Sequence, residues 1–344
     1  MELLKNGGEL RVPYYSQAEY VRTPFVITLI RFLAMERICV IIPYYGRWPA
    51  YFDLFLHSCQ RNPILNVLFL TDLEPPAQAP DNVKFHFVTI DQIKKSISEL
   101  LGYEAVISRP YKLCDVKPAY GLIFQEYIRD FDFWGYGDVD LVYGDLSKWL
   151  TADVLSNDVI SFRKKWLSGS LTLIRNTEEM NRLFLESSDV RMVFQSAQYL
   201  GFDEVSGCWR EIRTMPIAQI SFPYDNFTRV VLHALETGRI KGYLNDHARE
   251  VIPPDDYLML NSDGEVVDRN GTEYAYYHFI TEKGKPYFRY PKWREIPNHY
   301  VINRTGFYTL SEFENHRIIG MFRKVRAMPK DLLRRVYRRI RLLR

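Results

Sequence analysis

The sequence predicts an α/β fold, a Rossmann-like and mostly parallel sheet flanked by helices and followed by a basic amphipathic helical tail. Two observations predict the sheet. Short unbroken apolar runs alternate with segments of helical periodicity through the first third of the chain, the rhythm of strands joined by right-handed crossovers. An aromatic, strand-like run in mid-chain then ends in two carboxylates one residue apart, where ligands collect in open sheets of this kind. The tail is predicted by charge: residues 317–344 hold eleven Lys or Arg against the single Asp331, a net of +10 within a total of +3, so the rest of the chain is acidic by −7.

Ile38-Cys39-Val40-Ile41-Ile42 is a continuous apolar run ending at Pro43, as a strand covered on both faces should read. Tyr44-Tyr45-Gly46 turns the chain. Residues 48–60 space Tyr51, Phe52, Phe55, Leu56 and Cys59 as one helical face, and Asn66-Val67-Leu68-Phe69-Leu70 restores a strand that stops at Thr71-Asp72. A third strand over 84–89 precedes a helix over 91–101. Pro118 makes residues 111–129 a loop followed by a helix. After the carboxylate-bearing run, residues 159–162 and 170–174 read as two further strands, and Thr177 opens a helix running to about Leu185. Pro253-Pro254, Asp263-Gly264 and Asn270-Gly271 make 245–275 a region of loops and short hairpins.

Composition narrows the class. A chain of 344 residues with 47% hydrophobic and 25% charged residues is globular rather than disordered. The apolar stretch at 25–35 is broken by Arg31 and falls far short of the ~20 residues that span a bilayer, and the opening residues show no signal peptide. Cys39, Cys59, Cys114 and Cys208 lack Cys-x-x-Cys spacing, which predicts free thiols of a cytosolic protein rather than disulfides or a zinc site.

The chemistry concentrates in four places. Asp138 and Asp140, in Phe133-Trp134-Gly135-Tyr136-Gly137-Asp138-Val139-Asp140, can bring oxygens to one Mg²⁺ or Mn²⁺. Asp72 stands at a strand tip, where it can accept a hydrogen bond from a base or ribose. Arg109, Lys112 and Lys117 crowd a loop-to-helix junction, and cations at a helix start work against its dipole, so an anionic ligand would explain them. His278, in Tyr276-Tyr277-His278-Phe279-Ile280, can complete the metal shell. Lys285 follows in a Lys-Pro-Tyr loop where it can meet phosphates.

These motifs resemble the GT-A glycosyltransferases: an apolar first strand ending in Pro-Tyr-Tyr-Gly, an Asp at the second strand tip, and Asp138-Val139-Asp140 as the Asp-x-Asp element. His278 with Lys285-Pro286-Tyr287 is similar to the His-x-x-Gly-x-x-Lys-Pro-Trp element of retaining galactosyltransferases and glycogenin-like enzymes, with one extra residue and Tyr for Trp. The Pro110–Gly121 and Gly135–Asp145 strings look like bacterial glycosyltransferases of surface-polysaccharide synthesis. The resemblance implies a GT-A domain over 37–295, preceded by an extension of unassigned role (1–36) and followed by the tail (296–344). It implies a metal-dependent transfer from a nucleotide diphosphate-sugar, most readily a UDP-sugar, to a saccharide or lipid-linked saccharide. Tyr44, Asp72, Arg109, Lys112, Lys117, Asp138 and Lys285 would bind the donor, and Asp138, Asp140 and His278 would hold Mn²⁺ or Mg²⁺. Asp203 and Glu204 would act as base or sugar ligand, and residues 166–170 would floor the sugar pocket.

Two other classes compete. Asp138-Val139-Asp140-Leu141-Val142 also fits the nucleophile motif of haloacid-dehalogenase phosphatases, with Asp255-Asp256 as a later metal pair. Against it, Gly135-Tyr136-Gly137 does not read as an apolar strand, and the motif lies far from the N-terminus. A non-catalytic membrane-bound scaffold is the other. In the tail, apolar residues recur at helical spacing among the cations, with Pro329 dividing the segment. That composition fits a helix on an anionic membrane surface rather than a nucleic-acid patch, and it predicts a protein peripheral to the inner face of the cell membrane.

Overall fold

The computed structural model describes residues 36–315. Its central sheet has seven strands. β1 (Ile38–Pro43) lies between β2 (Leu65–Thr71) and, on its other edge, the later strand Phe133–Gly137, parallel to both. β3 (Val83–Phe87) continues the sheet beyond β2, also in parallel. The chain therefore leaves β1 in one direction and returns to its opposite side with β4 (Phe133–Gly137). The crevice at the carboxyl ends of β1 and β4 is the switch point at which open α/β sheets take their ligands.

After β5 (Leu141–Tyr143), β6 (Val159–Ser161), β7 (Leu171–Arg175) and β8 (Gly242–Leu244) complete the order β3-β2-β1-β4-β7-β6-β8. β7 runs antiparallel to both β4 and β6, and β6 is parallel to β8. The sheet is thus mostly parallel, with one reversed strand.

Both faces are covered, which is why β1 is apolar without alternation. Ile38, Val40 and Ile42 pack with Phe52, Phe55 and Leu56 of α1 (Phe52–Gln60). Cys39 and Ile41 face the opposite layer, with Ile93 and Ile97 of α2 (Ile90–Leu101) and Val230 and Val231 of α3 (Phe227–Glu236). A reciprocal capping box between Thr89 and Gln92 starts α2.

Two smaller sheets follow. β9 (Ala248–Arg249) will matter for the site. The hairpin region supplies β10 (Leu258–Leu260), β11 (Val266–Asp268) and β12 (Glu273–Tyr274), followed by β13 (Tyr276–His278), β14 (Tyr300–Asn303) and β15 (Gly306–Tyr308). β5, β13 and β9 form a three-stranded sheet, and β12-β11-β10-β14-β15 a five-stranded one.

Three expectations need correction. Phe133–Gly137 is a fully buried strand, so the argument against a phosphatase from its glycines fails. Gly135 is there because the Thr172 carbonyl of β7 passes 2.5 Å from where a Cβ would sit, so only a bare Cα lets the two strands pair. Residues 111–129 are not a loop and one helix. Pro110–Ala119 is a 3₁₀ stretch, followed by the short helices Tyr120–Ile123 and Gln125–Ile128, because Pro118 removes a backbone donor that an α-helix would need. The body also runs past residue 295, since β14 pairs with β10 and buries Tyr300 and Ile302. Residues 1–35 and 316–344, with the extension and the basic tail, lie outside the described residues. Among the described residues no helix is long and apolar enough to cross a membrane.

Candidate metal centre and its cleft

The loop from β4 to β5 carries Asp138 and Asp140, and strand pairing brings His278 to them. β13 runs antiparallel to β5 with His278 opposite Leu141, and the Phe279 amide donates to the Asp140 carbonyl at 3.1 Å. His278 Nε2 consequently lies 3.3 Å from Asp140 Oδ2 and 3.7 Å from Asp138 Oδ2. One donor atom from each of the three residues falls within 4.8 Å of the others. Asp140 Oδ2 and both ring nitrogens of His278 are buried with no hydrogen-bond partner. Oxygen and imidazole donors converging in this way suit a divalent cation such as Mn²⁺ or Mg²⁺.

The surrounding charges tune the cluster. Burial disfavours charge on His278, but the adjacent carboxylates of Asp140, Glu250 and Asp138 outweigh it and raise the imidazole to about 10. Burial likewise opposes the Asp140 carboxylate, yet His278 and Lys283 hold it well below the ordinary range. Lys283 Nζ sits 2.9 Å from Asp140 Oδ2 and is partly exposed. Lys117 is buried beneath the pair, donating to Asp138 Oδ1 at 2.7 Å and to the Gly169 carbonyl at 2.8 Å.

The cluster opens into a cleft of about 560 Å³. Asp203 and Glu204 line its other side. Glu204 Oε1 accepts from the Gly169 amide at 2.6 Å, and Asp203 Oδ1 accepts from Tyr199 Oη at 3.1 Å. A Cβ on Gly169 would lie 2.9 Å from both Asp203 Oδ2 and Glu204 Cδ, so the close approach of these acids requires glycine there. Burial pushes Glu204 up to about 7 against the pull of the Gly169 amide and Lys117, and it raises Asp203 well above the ordinary carboxyl range. Tyr44, Tyr111, Trp166 and Trp209 add aromatic walls.

The model of a protein family of unknown function (DUF6625) matches residues 40–311. The chain belongs to this family. The match takes in every cleft residue named above, and it runs past residue 295 as the five-stranded sheet does. No curated protein matches the chain. Among solved structures, the chain is similar to galactosyltransferase LgtC in complex with donor and acceptor sugar analogs, at 15% identity, covering 49% of this chain and 71% of that one with a TM-score of 0.31.

The structure places the sequence-derived candidates unevenly with respect to this cleft. Tyr44, Lys117, Asp138, Asp140, Asp203, Glu204 and His278 line it. Lys112 does not: its amine is wholly buried, bound to Asp115 Oδ2 at 2.7 Å and to the carbonyls of Val193 and Gln198 at 2.8 Å each. It is a structural tie, since Asp115 in turn accepts the Leu200 and Phe202 amides and so fixes the turn that presents Tyr199 and Asp203. Lys285 pairs with Glu282 at 2.8 Å outside the cleft, while Lys283, two residues earlier, lines it. Arg109 is exposed over the Tyr111 ring at the rim. Asp72 is exposed just past β2 and does not line the cleft. Asp255 and Asp256 are outside the three-residue group, and Asp256 faces Arg249 at 3.8 Å.

Sequence reasoning missed Lys283, Tyr199, Arg213 and Glu250. The loop 281–287 holds two lysines, and spacing by motif pointed to Lys285, whereas Lys283 is the one that lines the cleft. Glu250 carried no motif, and only the pairing of β9 with β13 reveals it.

Proposed function

We propose that this protein is a metal-dependent glycosyltransferase that moves a sugar from a nucleotide diphosphate-sugar, most readily a UDP-sugar, to a saccharide acceptor. The observation that carries the reading is the convergence of Asp138, Asp140 and His278 at the carboxyl end of β4, facing Asp203 and Glu204 across one cleft. Asp138, Asp140 and His278 would hold Mn²⁺ or Mg²⁺, and such an ion supplies charge neutralisation to a leaving diphosphate.

The chain's own residues do the remainder. Lys283 is partly exposed and can turn from Asp140 to a phosphate oxygen, adding positive charge where the leaving group develops negative charge. Tyr44 and the aromatic walls provide faces for a base or sugar ring. Lys117 holds Asp138 in place and, 4.0 Å from Asp203 Oδ2, links the two sides of the cleft. Glu204, raised toward neutrality by burial, is poised to take a proton from an acceptor hydroxyl, while Asp203 and Tyr199 orient the sugar.

Calorimetric titration with UDP, with and without Mn²⁺, tests the reading. Binding that requires Mn²⁺ supports it. Absence of binding, or weak binding indifferent to the metal, refutes it. The basic segment 317–344 supports docking to an anionic membrane face, with a lipid-linked saccharide as acceptor. Flotation with anionic liposomes should be lost when the chain is ended at Glu314, and equal flotation of both forms removes the membrane assignment.

A further inference from the structure

Glu250 is the one carboxylate at the site that faces the far side of the His278 ring. β9 pairs in parallel with β13, Tyr276 opposite Ala248 and Tyr277 opposite Arg249, so one step further along the register brings Glu250 beside His278. Glu250 Oε1 lies 3.6 Å from Nδ1, while Nε2 looks toward Asp138 and Asp140. Two guanidinium groups clamp the carboxylate: Arg163 Nη2 at 2.7 Å from Oε1 and Arg213 Nη2 at 2.9 Å from Oε2. Arg163 is itself anchored, donating from Nη1 to the Ala248 carbonyl at 2.9 Å and lying over the Trp166 ring.

From this arrangement we infer that Glu250 is a positioning residue, setting the orientation and tautomer of His278 so that Nε2 is the nitrogen presented to a cation. The inference rests on the metal-dependent reading above. An imidazole can flip end for end with little change in shape, and packing alone does not choose between its nitrogens. A fixed anion at Nδ1 does choose. When a cation occupies the Nε2 side, the remaining ring proton resides on Nδ1, and a carboxylate there both satisfies it and raises the donor strength of Nε2. The guanidinium pair keeps Glu250 from swinging round to the cation itself, where it would become a fourth ligand. The two arginines therefore act through Glu250, and Glu250 through His278.

The test is Mn²⁺ titration of the full chain by calorimetry, with free Mn²⁺ read by electron paramagnetic resonance, on wild type, Glu250→Gln, Glu250→Asp, His278→Gln and the Glu250→Gln/His278→Gln double variant. Removing an outer-shell partner of this kind weakens metal binding about 10- to 100-fold. We expect that loss in Glu250→Gln with an unchanged urea-unfolding midpoint, partial recovery in Glu250→Asp, and no further loss when Glu250→Gln is added to His278→Gln. With Mg²⁺ bound, ¹⁵N imidazole spectra should show a single Nδ1–H tautomer in wild type and a mixture in Glu250→Gln. Wild-type affinity in Glu250→Gln, or an equal loss on the His278→Gln background, overturns the positioning role while leaving the metal site standing. A wild-type chain that takes up no Mn²⁺ overturns both.

Discussion

Asp140 Oδ2 and His278 Nε2 stand 3.3 Å apart, buried in the wall of the cleft, held there by the β5–β13 ladder rather than by any sequence-local turn. Neither atom makes a hydrogen bond, and Oδ2 is met by the Lys283 ammonium at 2.9 Å, so a cation entering beside Nε2 takes over that charge pairing.

Metal uptake should therefore compete with protonation of His278. Its folded value of about 10 lies above the ordinary imidazole value of about 6.5, so at pH 7 an entering ion must displace a proton. Apparent Mn²⁺ affinity should rise by about tenfold per pH unit between 7 and 9, and calorimetry in buffers of different ionisation enthalpy should show release of about one proton.

The same shift sets a stability trend for the metal-free protein. A raised imidazole value means that the imidazolium stabilises the fold fully below about pH 6.5 and that this contribution disappears as pH climbs through about 10. His278→Gln should lower the urea midpoint at pH 6 and have little effect at pH 10.5.

Lys117→Met should cost about 3 to 5 kcal/mol, because it strips the buried partner from Asp138 and leaves the Gly169 carbonyl without its donor. Chemical denaturation measures this, and adding Asp138→Asn should recover part of the loss.

Lys112→Met should be similarly destabilising, by about 3 kcal/mol, through the turn at 198–202 rather than through ligand contact. UDP titration of the variant under conditions where it remains folded should give an affinity within a few-fold of wild type, whereas a donor-binding lysine would lose far more.

If Glu204 is the proton acceptor, the transfer rate should fall below about pH 7, roughly tenfold per unit, and Glu204→Gln should abolish transfer while retaining Mn²⁺-dependent UDP binding. A pH–rate profile of kcat/KM together with calorimetry on the variant decides it.

Much of this was legible beforehand, and the failures have physical causes. β1 and β2 could be read because burial on both faces leaves uninterrupted apolar runs, and Asp138 with Asp140 stood out because both carboxylates belong to one short loop. β4 was read as a strand from its aromatics, but its glycines were wrongly held against an apolar strand, because the sequence does not show that its neighbour β7 demands the missing Cβ at Gly135. Lys112 looked like a ligand-binding cation because the sequence does not show Asp115 and two carbonyls closing around its amine. Glu250 was invisible for the reason that His278 was only half visible: their neighbourhood is created by ladder register between segments distant in the chain.

Gly169 touches both sides of the cleft at once, giving its amide to Glu204 and its carbonyl to Lys117, which in turn grips Asp138. A single residue thus gears the two acidic clusters together. Any displacement that tightens one is felt at the other through this residue's backbone, so the two sides of the cleft can be altered independently, by evolution or by design, only once Gly169 and its bonds are rebuilt.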